Sequence, residues 1–392
     1  MNILFVGGAE FKPRVGGIAQ YTHRLCKHLQ GMGHNVLVYA AAMDNGQAFD
    51  KGCNYRISRF DYNKLMSGGK LLNIIMRLFA IFQIAKKHHT QVIICNVLQG
   101  EAFICWMVAK ALKVPFCICT HGRELTKKYR PLRRIYTKPI LKWANCVFAN
   151  SHFTKSVLQR LGVISHKIVV VFPAVDIEEM NTEVTESDLK AIRSLGFKDK
   201  KVILTLGRLE QRKGLDTTIK AMQIVPMEVP NSVYVIAGEG AYRSALEDLI
   251  EQLNLHNCVR LVGAIEGSQK HLYYKAADLF VMPNRELPNG DVEGFGIVFL
   301  EAGAYGKPVI AGNSGGAVDA VIHGQTGILV NPNDVHELAR AIVSILKNDA
   351  YARELGGGGL KRVTKNFSWR NSASAMSAAL RALVTVSKGG PL

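Results

Sequence analysis

The sequence predicts an α/β protein of two doubly wound, Rossmann-like domains facing a central cleft, and three observations predict it. Short apolar runs of strand length alternate with longer segments of helical period, the pattern of parallel sheets covered on both faces. The alternation stops once, around Phe172 and Pro173, and restarts at Lys201. The length of 392 residues suits two or three domains at ~150 residues each.

Residues 2–7 form the first expected strand. Residues 17–30 follow as a helix, with Ile18, Tyr21, Leu25 and Leu29 on one face, and Gly31 and Gly33 end it. Strands are expected at 35–40, 91–96, 115–120 and 146–149, with helices at 102–112 and 131–143. The most apolar helical stretch, 71–85, contains Arg77 and is too short to span a bilayer. The acidic segment 176–188 reads as a linker and the start of a new unit. Strands at 201–207, 232–238, 259–262, 279–282, 308–311 and 328–330 then alternate with helices at 215–222, 242–253, 269–276, 296–305 and 335–346, and an Ala-rich helix closes the chain at 369–386. The expected domains are 1–173 and 174–368. The cleft would lie where the carboxyl ends of both sets of strands face one ligand.

With 48% hydrophobic and 20% charged residues the chain is globular, neither disordered nor fibrous. Its net charge of +18 is uneven. Residues 1–170 hold 25 Lys and Arg against 6 Asp and Glu, and the remainder 24 against 25. An anionic partner is implied for the first half. Residues 1–7 lack a basic leader and read as a strand, not a signal peptide. The eight Cys fall at irregular spacings with no zinc pattern, so they read as buried free thiols in a reducing, cytoplasmic setting.

No Gly-x-Gly-x-x-Gly with a following acidic residue and no Walker A sequence occurs, which argues against nicotinamide and phosphate-loop chemistry. Gly16-Gly17 opens the first helix, where backbone N–H groups can approach an anion; a plain helix-entry turn is the alternative. Gly207 to Gly214 joins a strand end to a helix start and carries Arg208 and Lys213, a planar fork and a point charge for phosphate oxygens. Glu293 to Glu301 places two carboxylates around a glycine-marked helix start, with the amides of Phe295, Gly296 and Ile297 as an anion site. An acidic surface helix would explain the glutamates but not the glycines. His121 ends a strand before Gly122, a position that faces the cleft. Lys127, Lys128, Arg133, Arg134 and Lys138 belong to a basic amphipathic segment that can dock on an anionic membrane.

Together these residues resemble the retaining glycosyltransferase family 4 of GT-B architecture, which includes bacterial phosphatidylinositol mannosyltransferases and sucrose-phosphate synthase. The carriers are Gly16-Gly17, His121-Gly122, Gly207-Arg208 with Lys213, Gly238-Glu239-Gly240, and Glu293 with Glu301. The run from Asp291 to Ala302 is most similar to the lipid-linked mannosyltransferases. The resemblance implies an N-terminal acceptor domain, a C-terminal nucleotide-sugar domain, and a last helix, 369–392, that crosses back to the first domain.

It further implies a hexose donor carried on GDP or UDP and a lipid-linked or saccharide acceptor, with no metal or cofactor. The expected enzyme is cytoplasmic, or peripheral on the inner face of the membrane. His121 and Glu293 would contact the sugar and Arg208 and Lys213 the diphosphate. Gly16, Gly17, Ile265, Phe295, Gly296 and Ile297 would line the donor, and Glu301 would hold the ribose. The sequence departs from the family at Ser268-Gln269-Lys270-His271, where acidic residues often sit, and the base stays open. A nucleotide-sugar 2-epimerase on the same fold competes with transfer. A nucleic-acid binder competes too, but no nucleic-acid motif is present.

Overall fold

The computed structural model describes residues 1–392 except 9–10, 12, 14–15, 62–69, 97, 99, 128–130, 181–184, 195, 266–268 and 389–392. Met1–Pro173 and the helix Trp369–Lys388 form one compact unit, and Ala174–Ser368 a second.

The first unit is built on seven parallel strands: β1 (Asn2–Gly8), β2 (Asn35–Ala41), β3 (Arg56–Phe60), β4 (Val92–Cys95), β5 (Phe116–Thr120), β6 (Cys146–Ala149) and β7 (Ile168–Val170). Their order in the sheet is β3-β2-β1-β4-β5-β6-β7. β4, β5 and β6 are buried along their whole length, which is why they read as unbroken apolar runs. Cys117 and Cys119 sit buried on β5, and all eight Cys are free thiols. The edge strands β3 and β7 escape a reading by apolar runs, since β3 is only half-buried and carries Arg56 and Arg59, and β7 has three residues. His88, at the end of the helix before β4, is buried, with its ring nitrogen 3.1 Å from the Asn35 carbonyl.

The last helix completes this unit. Tyr21 of the helix Gly17–Gly31 donates to the Val171 carbonyl at 3.0 Å and meets the Trp369 ring edge-on. Ser372 donates to the Phe172 carbonyl at 2.7 Å, and His34 lies 2.7 Å from the Ser377 hydroxyl.

The second unit holds β8 (Lys201–Leu206), β9 (Ser232–Ala237), β10 (Val259–Gly263), β11 (Leu279–Met282), β12 (Val309–Gly312) and β13 (Ile328–Val330), all parallel, in the order β10-β9-β8-β11-β12-β13. The segment expected as a linker and the start of a new unit belongs to this second unit where it is described. It contains the helices Ile177–Met180 and Glu186–Ser194, and Asp188 is paired with Lys275 at 2.9 Å and with His271 at 3.2 Å.

The helix Asp349–Asn366 has no counterpart in the sequence reading, because it contains Gly356-Gly357-Gly358-Gly359. Each Gly inside a helix costs about 1 kcal/mol relative to Ala. Here the glycines allow backbone contact. The Gly359 backbone lies against Gly303 of the helix Ile297–Ala304, and a Cβ on Gly356 or Gly358 would overlap the Gly306 or Gln325 carbonyl. Gly357 faces open space. Neighbouring substitutions therefore have opposite signs. Gly357→Ala should raise stability by up to about 1 kcal/mol through propensity alone. Gly356→Ala should lower it by about 1–3 kcal/mol through overpacking, and thermal unfolding of the two variants checks the pair.

Candidate active site

In the second unit the chain leaves β8 and β11 toward opposite edges of the sheet, which opens a crevice at their carboxyl ends. Close backbone approaches bind the loops there. Gly207 has φ 149°, and its carbonyl is where a Cβ on Gly238 would stand. The Leu209 amide donates to the Glu239 carbonyl at 3.0 Å, and a Cβ on Gly240 would overlap the Leu209 carbonyl. Gly214 has φ 72° and abuts the Pro283 carbonyl after β11. The Gly316 amide, in the loop after β12, donates to the Glu293 carbonyl at 2.9 Å.

These loops carry an ionic cluster. Lys213 Nζ lies 2.6 Å from Glu293 Oε2, and both side chains are buried. Arg212, which the sequence reading passed over, is buried between Glu210, Asp291 at 3.8 Å and Glu293 at 3.7 Å. Arg208 pairs with Glu210 at 3.1 Å and has a side chain 63% exposed. Burial alone would raise the Glu293 pKa, but the Lys213 and Arg212 cations outweigh it and hold the carboxyl at about 2. Burial pulls Lys213 below its ordinary value, against the opposing pull of Glu293. Glu293 is thus an ionised hydrogen-bond acceptor at neutral pH. Of the two loop cations expected to serve phosphate oxygens, Arg208 is exposed and Lys213 is buried against Glu293.

Gly296, at φ 88°, precedes the helix Ile297–Ala304. Among the described residues no acceptor meets the amides of Gly296 and Ile297, and the buried Phe295 ring packs on Phe367. Glu301 lies in the same helix with both oxygens engaged. Oε2 accepts from Tyr274 at 2.8 Å, and Oε1 pairs with Lys270. Lys270 belongs to the segment that departs from the family pattern, so the departure supplies the counter-ion of Glu301. Ile265 is half-buried after β10.

In the first unit His121 follows β5, and Asn96 follows β4. Thr22 donates to the Ile18 carbonyl at 3.0 Å, so its oxygen accepts from the Asn96 amide nitrogen. The Asn96 oxygen then faces His121 Nε2 at 3.1 Å, which places the ring proton on Nε2 and the lone pair on Nδ1. The ring meets Tyr21 edge-on, and burial lowers its pKa to about 4. Gly16 caps the helix Gly17–Gly31, whose first turn carries no acidic residue. Of the basic segment, Lys127 is half-buried and Lys138 exposed. Lys128 and the side chains of Arg133 and Arg134 lie outside the described residues.

The Glycosyltransferase Family 4 profile matches residues 15–179, and the Glycosyl transferases group 1 profile matches residues 188–362. The chain is a glycosyltransferase of these families. It is 29% identical to a GDP-mannose-dependent alpha-(1-6)-phosphatidylinositol monomannoside mannosyltransferase of Mycobacterium tuberculosis, over 95% of this chain and 96% of that protein. A GDP-mannose-dependent monoacylated alpha-(1-6)-phosphatidylinositol monomannoside mannosyltransferase of Corynebacterium glutamicum is 28% identical over 92% of this chain and 93% of that protein. The fold is that of Anabaena HepE, solved with UDP and glucose, with a TM-score of 0.83 and 22% identity over 98% of this chain and 100% of that one. The two sheets are thus those of a GT-B glycosyltransferase.

Three predictions concern this glycosyltransferase. Arg208→Ala should leave its thermal stability within about 0.5 kcal/mol, as surface substitutions do. Lys213→Ala leaves Glu293 buried without its closest partner and should cost about 3–5 kcal/mol, with Lys213→Met/Glu293→Gln recovering part of the loss in chemical denaturation. For His121 the folded pKa lies below the ordinary 6.5. Its contribution to stability is complete above pH 6.5 and is lost as pH falls toward 4, because the unfolded chain takes up the proton first. His121→Gln should flatten that part of the acid limb in thermal unfolding measured between these pH values.

Proposed function

We propose that this glycosyltransferase moves a mannosyl group from GDP-mannose to a hydroxyl of a lipid-linked acceptor, with retention at the anomeric carbon and without a metal ion. The observation that carries the reading is the juxtaposition of the buried Lys213–Glu293 pair with the helix start at Gly296, whose amides meet no acceptor among the described residues. The mannosyl choice rests on the two actinobacterial relatives.

Negative charge builds on the diphosphate as the bond to the sugar breaks. The amides at the helix start and the exposed guanidinium of Arg208 answer it, aided by the remaining N–H groups of Lys213. Because Glu293 already balances Lys213, that lysine orients more than it neutralises. The ionised Glu293 accepts hydrogen bonds from sugar hydroxyls and cannot act as an acid near pH 7. His121, neutral and with its lone pair on Nδ1, also receives a sugar hydroxyl. Glu301 takes the ribose hydroxyls, which requires Lys270 to share or leave Oε1. The substrate domains follow the two units, with the acceptor assigned to the first and the donor to the second. The enzyme works at the inner face of the membrane, to which its basic first half is drawn.

Thermal-shift titration with GDP-, UDP- and ADP-sugars tests the donor. GDP-mannose at 100 times its Kd should add about 2.7 kcal/mol of stability. Stabilisation by UDP-sugars alone overturns the donor assignment. Glu301→Gln should weaken GDP binding, whereas Glu293→Gln should lower kcat about 10²-fold with GDP affinity retained. Activity should survive EDTA. Conversion of the nucleotide sugar itself without an acceptor would instead indicate an epimerase.

A further inference from the structure

The helix Lys70–Lys87 is amphipathic with an apolar stripe on its solvent side. Asn73, Ile81 and Ala85 are buried, the last two in one core cluster with strand residues, and Arg77, on the same face, pairs with Glu101. Leu72, Ile75, Met76 and Phe79 follow the i, i+3, i+4, i+7 spacing of one helical face, and all four are exposed, Phe79 by 61% and Ile75 by 55%. The helix packs against Gly100–Leu112, which adds exposed Phe103, and that helix packs against Pro131–Trp143, where Trp143 is half-exposed and stacked on Trp106 at 4.3 Å. A contiguous row of large apolar side chains on a soluble surface marks an interaction site.

Topology sets where this face lies. The chain leaves β3 at its carboxyl end and enters β4 at its amino end, so the helix Lys70–Lys87 runs from the carboxyl edge of the sheet to the amino edge. The exposed stripe, 72–79, is in its first half, and Phe103 is in the first turn after β4. Both therefore lie toward the edge at which ligands of doubly wound sheets bind.

Charge selects the occupant. Residues 70–142 contain 14 Lys and Arg and only Glu101 and Glu124 as acids. Both acids are turned inward, Glu101 to Arg77 and Glu124 to the His121 amide. Lys86, Lys87, Lys110, Lys138 and Lys142 are exposed on the same three helices, in their later halves. A second copy of this chain would bring two such basic surfaces together, whereas anionic lipid headgroups complement them. No helix among the described residues is long and apolar enough to cross a membrane. We propose that Leu72, Ile75, Met76 and Phe79, with Phe103 and Trp143, insert into the interfacial layer of an anionic bilayer while the exposed lysines of the same helices meet its headgroups. The face holds the first unit in the membrane plane by apolar contact, not by charge alone. This deepens the reading of a lipid-linked acceptor.

Flotation of the full chain with vesicles of phosphatidylcholine and phosphatidylglycerol in equal parts tests it, and needs neither donor nor acceptor, so its failure is separate from failure of the transfer reading. The wild type should float, and high salt should weaken binding without abolishing it. Ile75→Ser/Phe79→Ser should reduce binding at least about tenfold, since each removes a large buried apolar group from the lipid. The double variant should keep the wild-type melting temperature and the shift produced by nucleotide sugar. Lys138→Glu/Lys142→Glu should weaken binding to the mixed vesicles but not the residual binding to pure phosphatidylcholine. Wild-type flotation by the serine variant, or complete loss in salt, overturns apolar insertion. A wild-type dimer that the serine variant converts to monomer overturns the lipid assignment in favour of a second copy.

Discussion

Backbone touching backbone is the constraint on which the second unit depends. Gly238 against Gly207, Gly240 against Leu209, Gly214 against Pro283, Gly312 against Asn284 and Gly316 against Gly294 leave no room for a Cβ at five crossings. They join the loops after β8, β9, β11 and β12 into one layer above the sheet. A Cβ at these crossings would stand 1.9–2.3 Å from a carbonyl oxygen and would force the loops apart. The charged groups could not then share one small volume, and the helix start at Gly296 would lose its place beside them.

The layer brings together Arg208, Arg212 and Lys213 with Glu210, Asp291 and Glu293, a set of formally balanced charge. Balance of this kind keeps buried ions tolerable in the absence of ligand. An arriving diphosphate thus meets a framework whose positive groups are already fixed in direction and need not be reorganised at the moment of bond cleavage. The Glu301–Lys270–Tyr274 group repeats the device just over one turn into the helix that follows Gly296.

Much of this was legible in the sequence. Unbroken apolar runs disclosed β1, β4, β5, β6, β8, β9 and β11, because strands covered on both faces have no polar side to confuse the pattern. β3 was illegible since its Arg59 turns to Asp50 and the Ala41 carbonyl, contacts that no local pattern encodes. The helix Asp349–Asn366 was hidden by its four glycines, whose low propensity is overruled by packing. Glycines, two glutamates and a histidine pointed to the site. Arg212, Tyr274 and Asn96 did not stand out, and Lys270 did only as a departure from the family, because what matters about them is which distant side chain they meet. The glycine run was the one available signal for the tight helix contact, and the Arg212-Lys213 doublet for a second buried cation.

The return of the last helix to the first unit has a consequence for how the chain comes off the ribosome. The first unit is interrupted, and its Tyr21 and His34 contacts wait for Trp369 and Ser377. Residues 174–368 are complete before those partners are made. Once they fold, the bridge between Val175 and Ser368, with the Val175 amide 3.1 Å from the Phe367 carbonyl, sets the two ends of that unit side by side. The second unit thereby acts as a clasp. It converts the closure of a very long loop into the docking of a helix already delivered to its seat, and the entropy of that closure is met within the clasp's own folding. A chain cut short before Trp369 would damage the unit made first and spare the one made last.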